Sequence, residues 1–266
     1  MHILAIETTC SVGSVAIIDM DYDFSEIASY GLRNDYIVGS QSSHTASIPI
    51  KITTEPMGHL RNLTPMAEKL LIENNLKMKD IGAIAVSAGP GSFTGIRIGV
   101  STARALVQAL DVPGIQVQTL EVFKLRAKRA RNALTVPIFN ARRGQVYSAI
   151  YDSEQNEIMK PQACMLEDVF AVIDKSAEKA FFYGDGVDAY EKMLAGYDKA
   201  DKSVRYQTAD MVAATALKMY RKGLTVDCNA LLPLYMRRTE AEMRLEDGSL
   251  ERARKARMEK FRNGGM

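Results

Sequence analysis

Residues 3–18 read ILAIETTCSVGSVAII, an apolar run followed by a short polar turn and a second, β-branched run. This order is typical of a β-hairpin. Residues 135–151 read TVPIFNARRGQVYSAIY and repeat the same form about half a chain later. A repeat on this scale favours a duplicated domain over a solenoid, whose period is roughly 20–50 residues. Hairpins are common, however, so the sequence alone leaves open that the two look alike by chance.

Strands and helices alternate in the rest of the chain. A threonine N-cap with proline at the first helical position predicts a helix that begins at Thr64-Pro65. Further helices are predicted near residues 96–110 and 209–221, and a buried strand is predicted at 84–86. This alternation places the chain in the α/β class, with mixed sheets flanked by helices.

The composition is that of an ordinary globular protein. The chain has 266 residues, enough for two modest domains, and its 34 basic and 32 acidic residues nearly balance. A net charge of +2 argues against a protein that coats nucleic acid, although it leaves room for a local basic patch. The cysteines Cys10, Cys164 and Cys228 are too scattered for a disulfide framework or a thiolate metal site. Without a signal peptide or a long apolar run, the chain is expected to be cytoplasmic and free of membrane segments.

A glycine-rich turn connects the strand at 84–86 to the helix that follows it. Residues 89–99 read GPGSFTGIRIG, in which Gly89 and Gly91 flank a proline and Ser92 or Thr94 can cap the helix. The exposed amides of a helix start can hold an anion, so these four residues could form a phosphate or nucleotide loop. The alternative is a strand-to-helix turn that only needs small residues. The pattern is not a P-loop, because no Gly-Lys-Ser/Thr follows.

The helix after this turn carries small residues along one face. Gly95, Gly99 and Ala103 recur every fourth residue, and Ser101 and Ala105 keep the adjoining face thin. A row of small residues lets another backbone approach closely. The row could pack against the chain's own sheet, or it could seat a helix of a second chain.

Residues that bind metals or perform catalysis are sparse. The histidines are His2, His44 and His59. They form no His-x-x-x-His or His-Glu-x-x-His pair, so we predict no metal site and no catalytic residue. Glu7 and Asp185 lie at predicted turns, where lone acids are most often structural. Asn140 occupies a position where a carboxylate would be expected for magnesium, and its neutral amide is a poorer ligand.

The chain resembles the TsaB (YeaZ) family, relatives of the glycoprotease-like TsaD proteins within the actin-like ATPase superfamily. The resemblance covers nearly the whole chain and is carried by residues 3–9 with 14–16, His59 with Leu63 and Pro65, residues 88–99 with 103–106, 141–147, 184–186, and 233–237 with 240–242. Asn140 and Gln145 depart from the family's usual aspartate and glutamate. A loop near residues 30–57 is longer than is typical of the family.

The resemblance implies two duplicated actin-like, ribonuclease H-like lobes. The first lobe would comprise residues 1–112, completed by a C-terminal helix near 208–235. The second, smaller lobe would comprise residues 113–207, and residues 248–266 would form a basic tail outside the family pattern.

The family pairs with TsaD through two helices, which correspond here to residues 60–75 and 94–110. The partner-binding residues that follow from this are Leu63, Met66, Leu70, Gly95, Ile96, Gly99, Thr102, Ala103 and Leu106. The resemblance thus implies a dimerization subunit that makes a protein–protein contact and performs no chemistry itself.

The implied function is activation of the TsaD-type transferase that forms N6-threonylcarbamoyladenosine in tRNA, at the adenosine beside the anticodon. The expected partners are the TsaD-type subunit in a heterodimer, a TsaE-type ATPase, tRNA through the complex, and a second copy of the chain when TsaD is absent. The chain would need no cofactor of its own, because TsaD would hold the ATP and the metal. The glycine loop and the fold analogy leave an alternative, an autonomous actin-like kinase or glycoprotease-like peptidase.

Overall fold

The computed structural model describes residues 1–23, 48–55, 59–127, 133–176 and 178–237, with the further positions 248, 249, 251, 252, 254 and 258. Most of the long loop and most of the basic tail named above lie outside the described residues, as do the side chain of His59 and the motif at 240–242. The chain divides into one compact unit, Met1–Leu234, and a second unit, Tyr235–Met266. Both sheets belong to the first unit.

The first sheet has five strands in the order β3-β2-β1-β4-β5. Their bounds are β1 His2–Glu7, β2 Gly13–Asp19, β3 Ile50–Thr53, β4 Ile81–Gly89 and β5 Gly114–Gln118. β1, β2 and β3 form an antiparallel meander, whereas β4 runs parallel to β1 and β5 parallel to β4. The sheet therefore continues past residue 112, where the sequence placed the end of the first lobe.

Helices cover both faces of this sheet, which is why nearly every residue of β1 and β4 is buried. Helices α1 (His59–Glu73) and α2 (Phe93–Leu110) share a core with Leu4, Ile6 and Val86, whose side chains alternate to one face. The last long helix, residues 209–221, contacts β1, β2 and β5. The structure thus places this C-terminal helix on the first sheet.

The second sheet has the strand order β10-β9-β6-β7-β8. Its strands are β6 Ala133–Arg142, β7 Gln145–Tyr151, β8 Glu157–Met165, β9 Lys179–Tyr183 and β10 Asp198–Lys199. The remaining helices are α3 Lys124–Ala127, α4 Leu166–Ser176, α5 Gly186–Ala189, α6 Lys202–Arg205 and α7 Ala209–Arg221. Short 3₁₀ turns occupy Met78–Asp80 and Thr119–Phe123.

The two sheets have the same topology. In each, the first three strands form an antiparallel meander, and the fourth and fifth run parallel to the first. This shared order decides in favour of duplication rather than a chance likeness of two hairpins. The predicted class, duplicated α/β lobes with mixed sheets flanked by helices, is confirmed. Among the described residues, the helices are too short or too polar to cross a membrane.

Candidate functional site

The row of small residues on α2 faces the first sheet of its own chain. A Cβ added at Gly95 would fall on the carbonyl oxygen of Thr8, and one at Gly99 would fall on Thr8 Oγ1. Ala103 is fully buried in the same core. Of the two alternatives for this row, the structure supports packing against the chain's own sheet.

Six of the residues assigned to a partner are therefore corrected to core positions. They are Leu63, Leu70, Gly95, Ile96, Gly99 and Ala103, all buried in the first lobe. Helical spacing identifies which residues share a face, but it does not identify what that face contacts. Met66, Thr102 and Leu106 are half-buried at the edge of this core, and partner binding by these three stays a prediction.

Two hydrogen bonds hold the turn after β1 against the start of α2. The Thr8 hydroxyl donates to the Gly95 carbonyl at 2.8 Å, and the Ser92 N–H donates to the Thr9 carbonyl at 2.7 Å. Both depend on close backbone approach, which the glycines of α2 permit. The first hairpin and the glycine-rich turn thus form one joint.

Packing accounts for the glycine-rich turn itself. A Cβ at Gly89 would meet the Leu234 carbonyl, and one at Gly91 would lie 2.5 Å from the Thr9 carbonyl oxygen. Ser92 caps α2, because its Oγ accepts from the Gly95 N–H at 3.3 Å. The structure thus explains these residues as a turn and a helix cap. Phosphate binding by Gly89, Gly91, Ser92 and the exposed Thr94 stays a prediction.

A fully buried carboxyl group, that of Glu7, lies at the end of β1. Together with Thr9, Cys10, Asp185 and Gln207 it forms a group of neighbouring residues that we call the inter-lobe cluster. Glu7 Oε1 accepts from the N–H of Thr9 at 2.5 Å and from its hydroxyl at 2.6 Å. Burial raises the pKa of Glu7 to about 7, and the Thr9 hydrogen bonds offset only part of that rise. Gln207 Nε2 donates to Thr9 Oγ1 at 3.0 Å, which joins the segment before α7 to the same turn.

The matching turns of the second lobe contribute Asp185 to the inter-lobe cluster. Asp185 Oδ1 accepts from the Asn140 N–H at 3.2 Å, and burial raises the pKa of Asp185. Burial, and then the negative charges of Glu7 and Asp185, raise the pKa of the Cys10 thiol. Glu7 and Asp185, which are far apart in the sequence, thus both lie close enough to Cys10 to affect its thiol. Gln207 was missed, because nothing in its local sequence relates it to Thr9.

Burial raises the pKa values of Glu7, Asp185 and Cys10 in this cluster. A thiol with a raised pKa is a poor nucleophile near neutral pH. Within the part of the chain that the structure describes, His, Cys, Asp and Glu side chains do not gather in groups of three or more that could hold a metal ion.

The solvent-facing side of α2 carries little charge. Its exposed positions are Thr94, Arg97, Ser101, Ala105, Gln108 and Ala109. The neighbouring α1, which contacts α2, exposes Leu60 at 73% and Ile72 at 67%. We call this surface the outer helical face. Leu60 and Ile72 were not predicted from the sequence, although the i, i+4 row of Leu60, Thr64, Glu68 and Ile72 was a usable signal.

Comparisons with known proteins agree on one family. A family model described as TsaD, tRNA N6-adenosine threonylcarbamoyltransferase, matches residues 55–245. The chain is 26% identical to the tRNA threonylcarbamoyladenosine biosynthesis protein TsaB of Bacillus subtilis (strain 168), covering 91% of this chain and 96% of the relative. It is 29% identical to the protein of the same name from Escherichia coli (strain K12), covering 92% and 98%.

A solved structure shares the fold over almost its full length. It is described as an uncharacterized protein from Pseudomonas aeruginosa with similarity to peptidase YeaZ. The identity is 25%, the TM-score is 0.69, and the match covers 89% of this chain and 99% of that one.

Proposed function

Because the chain belongs to the TsaD family, and within it to the TsaB (YeaZ) group, we propose that it is a non-catalytic subunit that binds and activates a TsaD-type threonylcarbamoyltransferase. The pathway is the formation of N6-threonylcarbamoyladenosine in tRNA, at the adenosine beside the anticodon. The proposed complex reaches tRNA as a unit, works with a TsaE-type ATPase, and holds its ATP and metal ion on the TsaD-type subunit. Without that subunit, the same surface would pair two copies of the chain.

The observation that carries the proposal is the low charge on the exposed side of α2. The exposed side of α1 is mixed, with Leu60 and Ile72 beside Arg61, Glu68, Lys69 and Glu73. Of the six exposed positions on α2, one is charged. The exposed positions on α4, in the second lobe, are Glu167, Asp168, Ala171, Asp174 and Lys175, of which four are charged. α4 has the composition of a helix that faces water, whereas α2 has that of a helix that another surface covers.

Small side chains on α2 also suit close helix packing. Interaxial distances fall toward about 8 Å when the side chains at the contact are small. Ser101 and Ala105 supply such a contact, and the exposed apolar residues of α1 lie on the adjoining helix. The exposed side of α2 therefore suits packing against a helix of a partner, while the opposite side of α2 packs in the chain's own core.

The experiment is a charge placed on the outer helical face. Ala105→Glu should abolish the complex when the chain is co-expressed with the TsaD-type protein of the same organism and the complex is sized by chromatography. The matched control is Ala171→Glu, the same substitution at an exposed helical alanine of the second lobe. Gly99→Glu would be uninformative, because its Cβ would collide with Thr8 and unfold the first lobe.

Two further measurements, of thermal stability and of tRNA modification, complete the test. Circular dichroism should give both variants the melting temperature of the wild type within a few degrees. Threonylcarbamoylation of tRNA by the TsaD-type protein should need the wild type or Ala171→Glu chain and should fail with Ala105→Glu. An undiminished complex with folded Ala105→Glu protein would refute docking at this face.

A further inference from the structure

The tip of the β6–β7 hairpin holds two arginines in an unusual backbone conformation. Arg142, Arg143 and Gly144 have φ angles of 67°, 55° and 77°. The left-handed region suits glycine, asparagine and aspartate, whereas a residue such as arginine adopts it at a cost in backbone energy. Turns that need these angles usually carry Asn-Gly or Asp-Gly. Arginine contributes nothing to such a turn that these residues lack, except its guanidinium.

The base of this tip is fixed by hydrogen bonds from both strands. The Arg142 N–H donates to Asn140 Oδ1 at 2.8 Å, and the Asn140 N–H in turn donates to Asp185 Oδ1. On the other strand, the Tyr190 hydroxyl donates to the Gln145 carbonyl at 3.1 Å. A tip anchored on both sides presents its side chains from a defined position, which lowers the entropy cost of binding.

The two guanidiniums are presented to the outside. Arg142, Arg143 and Gly144 are all exposed. Among the residues that the structure describes, Arg142 forms no ion pair within 4.0 Å. Arg142 already acts electrostatically on the Asp185 carboxyl, and an anionic ligand at the tip would add a further favourable interaction for each exposed guanidinium.

We propose that Arg142 and Arg143 bind phosphates of the tRNA backbone when the chain is part of the complex. The inference rests on the proposed function, which brings the chain to tRNA. Guanidinium groups bind phosphate through two parallel hydrogen bonds, a geometry that lysine cannot reproduce. The net charge of the chain is only +2, so its contribution to RNA affinity has to come from a local group such as this tip.

The exposed tip favours RNA over an acidic protein surface as the partner. Strong protein–protein contacts need an anchor in a packed pocket that excludes water. The tip instead consists of two long cations and a glycine, all open to solvent. Phosphate contacts tolerate such exposure, because released counterions supply much of the free energy.

The test removes the two charges without adding backbone strain. The double variant Arg142→Asn/Arg143→Asn keeps residues that tolerate the left-handed region, so its melting temperature should equal or exceed that of the wild type. The complex with the TsaD-type protein is titrated with a fluorescent unmodified tRNA transcript at several salt concentrations. Affinity should fall about tenfold at low salt, and the slope of log K against log salt should shrink by about 1.5.

A charge-matched control separates the tip from general electrostatics. Lys160→Asn/Lys179→Asn removes the same charge from exposed positions of the same lobe and should change affinity less than twofold. Unchanged affinity and slope in the arginine variant, with the complex intact on sizing, would overturn the inference. Loss of the protein complex in that variant would also overturn it, because the tip would then contact the protein partner. If the wild-type chain forms no complex at all, the proposed function fails and the inference falls with it.

Discussion

Replacing Gly95 by alanine places a methyl group on the carbonyl oxygen of Thr8. Neither partner can step aside cheaply. Thr8 is fully buried at the end of the first hairpin, and Gly95 lies in the first turn of α2, where Ser92 Oγ accepts its N–H. Relief requires α2 to move away from the hairpin, which takes Ile96 and Val100 away from the core beneath them.

The expected change in the free energy of unfolding combines one stabilising and two destabilising effects. Alanine is the better helix former by about 1 kcal/mol, which favours the variant. Displacing α2 breaks the hydrogen bond from the Thr8 hydroxyl to the Gly95 carbonyl, worth about 1 kcal/mol. Overpacking a filled core costs roughly 1–3 kcal/mol. We expect a net loss of about 2 kcal/mol in the free energy of unfolding, or about 4–8 °C in melting temperature for a chain of this size.

Urea unfolding followed by circular dichroism measures this loss as a lower midpoint at unchanged slope. Ser101→Ala, on the outer side of the same helix, is the control and should be neutral or slightly stabilising, by up to about 0.5 kcal/mol. Packing of Gly95 against the first hairpin is contradicted if Gly95→Ala is as stable as the wild type yet no longer forms the complex. That outcome would mean that the small-residue row faces the partner rather than the first hairpin.

Two further substitutions test the buried carboxyl of the inter-lobe cluster and the hydrogen bond at the start of α7. Because burial raises the pKa of Glu7 from 4.5 to about 7, the folded state favours the protonated carboxyl, and the free energy of unfolding should fall as pH rises through that window. Glu7→Gln should remove up to about 3 kcal/mol of that fall, and equal pH dependence of the two proteins in urea unfolding at pH 5 and pH 8 would contradict the assignment. Ser14→Ala removes the acceptor of the Ala209 N–H at 2.9 Å, a side-chain cap at the start of α7 where Thr208 provides none. It should cost about 1 kcal/mol in thermal unfolding, and an unchanged melting temperature would show that water replaces the hydroxyl.

The topology could be predicted because its signals are local. Runs of β-branched residues predict the two hairpins, and a glycine-rich turn with a capping serine predicts the start of α2. The neighbours of α2 could not be predicted in the same way. The Thr8–Gly95 hydrogen bond joins residues 87 positions apart, and Gln207 reaches Thr9 across 198. Helical spacing and propensity carry no information about contacts between residues so far apart. The row of small residues on α2 was therefore attributed to a second chain, although it packs against the first hairpin.

The inter-lobe cluster and the outer helical face differ in how many of their polar groups already have partners inside the chain. In the inter-lobe cluster, the Thr9 hydroxyl donates to Glu7 and accepts from Gln207. At the start of α2, the Ser92 N–H donates to the Thr9 carbonyl and the Ser92 hydroxyl accepts from the Gly95 N–H. Each of these groups would have to leave a partner inside the chain before it could serve a ligand. On the outer face, Ser101 and Ala105 are exposed and their small side chains can accept a neighbouring helix without rearrangement. Docking at the outer face therefore breaks none of these internal hydrogen bonds, which supports the proposed docking role.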